Sequence, residues 1–193
     1  MILYPFQPGA ASGYGIAGFD EEKKCPGKEL YLLPPGGMPP AQFRDGWLFC
    51  AAPGCADARL LQPVQTAAGD APAVWCDTQI SGGSLEEYLR GLVQAWGSRL
   101  WVYLAPICML FPVPCPSGVG TPLDKAAADA LLARHPSHFS AELGCCYSFF
   151  RDASGQARVF LFDTDETCRK KLSLLRRLGV RQVFGELPSA QTL

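Results

Sequence analysis

Proline is spread unevenly along this chain, and that distribution restricts the fold more than any other feature. Ten of the 17 prolines and ten of the 20 glycines lie in the first 72 of its 193 residues. Segments such as YLLPPGGMPPAQF exclude long helices there, because proline lacks an amide hydrogen and its ring clashes with the preceding helical turn. Two short apolar runs, 29–33 and 46–51, have the composition of strands, and the rest of the segment reads as ordered loop or as a mobile arm near the N-terminus.

From residue 73 the pattern becomes regular. AVWCDTQ reads as a strand, followed by a turn at Gly82–Gly83. Ser84-x-x-Glu87 forms a capping box, in which two side chains answer orphan amides at a helix start. Leu85, Tyr88, Leu89, Leu92, Val93 and Trp96 then recur at helical spacing, with Gly97 placed as C′. RLWVYLAP is a continuous apolar run, the signature of a strand buried on both faces. Thr121 and Pro122 read as N-cap and N1 of a second helix, AAADALLAR, that ends before Pro136. Residues 139–151 and 157–162 flank Asp152-Ala153-Ser154-Gly155 as a β-hairpin, an insertion near 143–162. Asp163-x-x-Glu166 caps a third helix with Cys168, Leu172, Leu175 and Leu178 facing inward; Gly179 ends it, and VRQVFGEL is the last strand. This alternation predicts an α/β protein with a mainly parallel sheet and right-handed crossovers. A Pro/Gly-rich segment, 1–72, packs its short strands on the same domain as the regular region, 73–193.

Composition narrows the function classes. Seventeen Lys and Arg against 18 Asp and Glu leave a net charge of −1, whereas a nucleic-acid surface needs a basic excess to neutralise phosphates. No apolar stretch reaches the ~18 residues of a membrane span. The nine cysteines sit mostly inside apolar runs, without C-x2-C spacing, and the only histidines are His135 and His138, so no metal is expected. Gly13-x-Gly15-x-x-Gly18 matches a dinucleotide fingerprint on paper, but Pro26 interrupts the next segment too soon for the required helix, so no cofactor is expected either. MILYPFQPGAAS lacks a basic n-region, so a cytoplasmic protein with reduced thiols is the expectation. Arg169, Lys170, Lys171, Arg176, Arg177 and Arg181 read as a solvated helix face.

The remaining chemistry is carboxylic. Function in open α/β sheets and barrels gathers at the carboxyl ends of strands, and Asp77, Asp163 and Glu186 each end an apolar run. Asp163 doubles as a cap; Asp77, before a polar turn, is less easily explained by structure alone. These three are the catalytic candidates.

The order of elements resembles the closing half of family 18 glycoside hydrolase barrels, in particular their spore-cortex and chitinase-like branch. Tyr147, Phe149, Asp152, Gly155, Phe160, Phe162, Asp163, Thr167, Lys171, Leu172, Gly179 and Val180 fall into that family's pattern of aromatic strand, hairpin, returning strand ending in acid, and Lys-containing helix. VWCDTQISGG is similar to the strand bearing the family's Tyr-Asp pair. The departures are specific. The catalytic signature D-x-x-D-x-D-x-E is absent from the chain; Cys76 stands for the tyrosine of the pair, and Glu186 for the final-strand tryptophan. In that family the missing glutamate is the general acid and the substrate's acetamido group the nucleophile, so proton delivery is lost. A full barrel takes ~250 residues, which leaves either early strands compressed into 1–72 or a partial, TIM-barrel-like sheet. The resemblance implies a non-catalytic protein that binds a glycan or peptidoglycan fragment, or a protein partner, through Asp77, Gln79, Tyr103 and Glu186. A hydrolase with a rebuilt carboxylate site and a sporulation-associated assembly protein remain as alternatives. An uncovered sheet edge would favour a homo-oligomer.

Overall fold

The computed structural model describes residues 2–7, 14–17, 29–33, 46–50 and 60–185. The first strands are β1 (Ile2–Gln7), β2 (Tyr14–Ala17), β3 (Glu29–Leu33), β4 (Gly46–Cys50), β5 (Leu60–Pro63) and β6 (Val74–Asp77). Helix α1 (Leu85–Trp96) leads through a short 3-10 turn to β7 (Leu100–Leu104), β8 (Cys108–Pro112) and β9 (Thr121–Pro122). Then come α2 (Lys125–Leu132), β10 (His138–Ser140), β11 (Cys145–Arg151), β12 (Ala157–Phe162), α3 (Asp165–Arg177) and β13 (Gln182–Gly185). The chain divides into two compact units, the first holding Met1–Thr78, Leu89–Ala105 and Leu175–Leu187, the second the remainder.

The first unit holds eight strands paired in a ring, β1-β13-β7-β6-β5-β4-β3-β2, which closes through β1 and β2. All neighbours run parallel except β2, which is antiparallel to both β1 and β3. Five of the eight come from the Pro/Gly-rich part of the chain, where the apolar pattern marks only β3 and β4. Tyr14–Ala17, inside the glycine fingerprint, is strand rather than a phosphate-binding turn; Gly13 and Gly18 lie outside the described residues. As its continuous apolar run requires, β7 is buried on both faces. Arg99 donates from Nη1 to the carbonyls of Gly69 and Ala71, 2.9 Å each, tying the loop before β6 to the start of β7. The third helix ends as the glycine signal predicts: Gly179 has φ +77°, its N–H meets the Arg176 carbonyl, and Val180 N–H meets that of Leu175.

The second unit is built on an all-antiparallel sheet of five strands in the order β10-β11-β12-β8-β9. The sequence shows only the β11–β12 hairpin of this sheet, and several local signals resolve differently. Thr121 and Pro122 form β9, and the N-cap of α2 is Asp124, whose carboxylate accepts from Ala127 N at 2.8 Å. Residues 139–151 are two strands, because Gly144 (φ +68°) turns the chain between them. In the hairpin, Asp152 accepts from the Ser154 amide and hydroxyl, Gln156 N and Arg158 Nε. The Ser154 hydroxyl first, and then the Arg158 guanidinium, hold its carboxyl well below the usual carboxylate range. Alternation along β12 divides the sheet's two faces. Phe160 and Phe162 meet Ala128 on the α2 side, and Leu161 packs with Ile107, Phe111 and Cys145 on the other.

Gly185, in β13, leaves no room for a side chain. Its φ is +126°, and a Cβ there would stand 2.5 Å from the Leu104 carbonyl oxygen and 2.9 Å from the Tyr103 ring. Gly185→Ala is expected to lower unfolding free energy by about 1–3 kcal/mol, the usual cost of one strained backbone position, or more where the oxygen cannot move. Urea melts should show this as a lower midpoint with an unchanged slope.

Candidate functional site

The three candidate carboxylates have different surroundings. Asp163 stands at the end of β12, and its side chain and that of Lys171 are each only 1% exposed. One carboxylate oxygen takes the Lys171 ammonium at 2.6 Å and the Ile107 amide at 2.9 Å; the other takes the Thr167 hydroxyl at 2.7 Å. The Asp163 amide donates to the Ile107 carbonyl at 2.8 Å. A carboxylate held by an ammonium, a hydroxyl and an amide has its charge compensated within the fold. The N-cap of α3 is therefore not Asp163. Thr164 and Thr167 cap it reciprocally, Thr164 N donating to Thr167 Oγ1 at 2.8 Å and Thr167 N to Thr164 Oγ1 at 3.2 Å. Glu166, expected to complete a box with Asp163, instead pairs with Lys170 at 2.8 Å.

Lys171 also leaves the solvated basic face assigned to it: it is 2% exposed. The signal that identifies this group is spacing. Asp163, Thr167 and Lys171 are four residues apart, so they stack along one side of a helix and its N-terminal extension.

Asp77 ends β6 in the first unit, directly opposite Tyr103 of β7. Residues opposite one another in neighbouring strands share a face. That face of β6, β7 and β13 therefore carries Trp75 and Asp77, Trp101 and Tyr103, and Gln182 and Phe184. The rings touch: Tyr103 stacks on Phe184 at 5.2 Å between centroids, and Trp75 meets Tyr103, and Trp101 meets Phe184, edge-on at 6.4 Å. The opposite face holds Val74, Cys76, Leu100, Val102, Leu104 and Val183, all buried. Sequence reading missed Trp75, Trp101 and Phe184 as members of one cluster, although alternation along three strands in register places them together. Burial, and then the neighbouring Asp77 carboxylate, push the Cys76 thiol far above its ordinary range, so it stays protonated. Cys145, in the second unit, is pushed up to about 12, by burial first and then by Asp163.

Gln79 belongs to the second unit, where its Nε2 donates to the Pro106 carbonyl at 2.8 Å. Glu186 lies outside the described residues. Among the described residues no group of three His, Cys, Asp or Glu could hold a metal ion, and no helix is long and apolar enough to cross a membrane.

No protein-family model matches the chain, and no curated protein matches it. Among solved structures it is similar to the spore cortex-lytic enzyme SleL of Bacillus cereus, with 12% identity and a TM-score of 0.47 over 62% of this chain and 31% of that one. SleL of Bacillus megaterium gives 14% and 0.44 over 61% and 30%. A chitinase of Chromobacterium violaceum gives 16% and 0.45 over 74% and 41%. The chain thus spans less than half the length of each of these proteins.

This geometry yields two expected outcomes. Lys171→Met leaves the buried Asp163 charge without its cation and should cost about 3–5 kcal/mol, whereas adding Asp163→Asn should recover much of that loss; thermal melts of the single and double variants compare the two. Iodoacetamide at pH 8 should leave Cys76 and Cys145 unmodified in the folded protein and label both after unfolding, read by peptide mass mapping.

Proposed function

We propose that this chain is a family 18 glycoside-hydrolase-like barrel that binds a glycan or peptidoglycan fragment and does not cleave it, with Asp77 and Tyr103 as its principal contacts. The sequence resemblance supplies the glycan class. The observation that carries the non-hydrolytic part is the absence of D-x-x-D-x-D-x-E, with its general-acid glutamate, from the sequence. In family 18 the substrate's acetamido group supplies the nucleophile, so hydrolysis would need one free and suitably placed acid. Of the strand-end carboxyls described, Asp163 is held by Lys171, Thr167 and Ile107 N, and Asp77 stands beside aromatic rings. A carboxylate next to the half-buried Trp75 and Tyr103 suits sugar recognition: ring faces take the apolar side of a pyranose, and the carboxylate accepts from its hydroxyls. The early strands are, in this reading, a compressed version of the barrel's first half, and the protein is cytoplasmic.

Chito-oligosaccharides and muropeptide fragments test the reading, with calorimetry for binding and chromatography for products. Saturable binding without products is expected, weakened about tenfold or more by Asp77→Asn and by Tyr103→Ala. Product formation abolished by Asp77→Asn would establish a hydrolase with a rebuilt site instead, and the absence of any binding would refute the glycan reading.

A further inference from the structure

The sheet of the second unit has a feature that neither Asp77 nor the Asp163 group accounts for. On the side away from α2, β8, β11 and β12 floor an open groove of about 510 Å³, a volume within the range of small-molecule sites. Its lining contains no Asp, Glu, Lys, Arg or His. Phe111, Val159 and Leu161 give an apolar floor, and Ser81, Ser140 and Tyr147 bring hydroxyls to it. Ser140 Oγ accepts from Leu143 N, and its proton remains to be donated.

Exposed apolar side chains gather at the same place. Four large hydrophobic residues are exposed among those described: Val113 (39%), Val119 (72%), Phe139 (43%) and Phe149 (58%). Phe139 has the Lys170 ammonium over its ring at 4.1 Å. The other three adjoin the groove. Val113 lines it, Val119 follows the lining residue Gly118, and Phe149 lies directly across from Val159, which in turn faces Phe111. Phe149, Val159 and Phe111 thus make one apolar row across three strands, running from solvent onto the groove floor. The loop beyond is fitted against that floor: a Cβ at Gly120 would stand 2.7 Å from the Phe111 ring. Exposed apolar groups concentrated on one concave surface mark an interaction site.

We propose that this groove binds an uncharged amphiphile, its hydrocarbon body lying on the Phe149–Val159–Phe111 row and its hydroxyl or amide groups meeting Ser81, Ser140 and Tyr147. The absence of charge from the lining selects a neutral ligand, since an ionised group would be desolvated there without a partner. The proposal is independent of the Asp77–Tyr103 reading, because every lining residue belongs to the second unit.

The test uses the full chain and the neutral fluorophore N-phenyl-1-naphthylamine, with its sulfonated relative 1-anilinonaphthalene-8-sulfonate as the charged comparator. Saturable one-to-one binding of the neutral probe is expected, with the sulfonate bound at least about tenfold more weakly. Val159→Lys should weaken the neutral probe about tenfold or more, and the exposed Phe149→Ser about threefold, the latter covering the case in which Val159→Lys fails to fold. Tyr103→Ala should leave probe affinity within about twofold. A signal that rises without saturating, equal affinity for the sulfonate, or insensitivity to both groove substitutions would overturn the proposal. So would light scattering that shows a dimer dissociated by Phe149→Ser, since the row would then be an interface between two copies of the chain.

Discussion

The ion pair between Asp163 and Lys171 is the constraint on which the second unit is organised. Two buried charges are costly to desolvate, and they persist only where geometry and additional hydrogen bonds compensate both. Here that compensation joins several elements at one point. Asp163 ends β12, Thr167 and Lys171 belong to α3, and Ile107 opens β8 by exchanging backbone and side-chain bonds with Asp163. The stem of Lys171 passes Gly144, whose missing Cβ leaves room for the Leu85 side chain. The Leu85 amide in turn donates to the Glu142 carbonyl at 2.8 Å. The turn before β11, the start of α1 and the start of α3 therefore all take their places around one carboxylate.

The first unit depends on a different principle. Its strands β6, β7 and β13 present aliphatic residues on one face and aromatic rings on the other. Aromatic pairs at these separations add about 0.5–1.5 kcal/mol each beyond their buried area, so the rings contribute to stability whether or not a ligand is present. The two non-aromatic residues of that face, Asp77 and Gln182, lie at opposite ends of the ring cluster. Gly185, between Phe184 and the end of the described chain, lets β13 approach β7 closely at the Tyr103 ring.

The parts of the fold legible in the sequence were those governed by local chemistry. The apolar stripe of α1, the both-faces-buried run of β7, the Asp152 hairpin and the Gly179 stop all derive from spacing and backbone preference. The parts that escaped depended on partners distant in sequence. Strands β1, β2 and β5 carry too little alternation of their own and are defined by their neighbours in the ring. Residues 121–122 offered a plausible helix start by propensity, yet β8 was available to pair with them, and the cap moved to Asp124. Lys171 looked like one more cation in a basic run. Its i−4 and i−8 relation to Thr167 and Asp163 distinguishes it, and that pattern carries meaning only once the helix is known to bury that side.

Asp77 and Asp163 show how little a strand-end carboxylate says by itself. Each ends an apolar run and precedes a polar turn and a helix, so local pattern treats them alike. The next helix is what separates them. After Asp163, Thr167 and Lys171 return to it at four-residue spacing and bind both its oxygens. After Asp77, the residues at the same offsets are Ser81 and Leu85, neither of them a cation, and Leu85 is buried in a core. Asp77 has no cation at those two offsets, and its neighbours on the sheet face are Tyr103 and the rings around it.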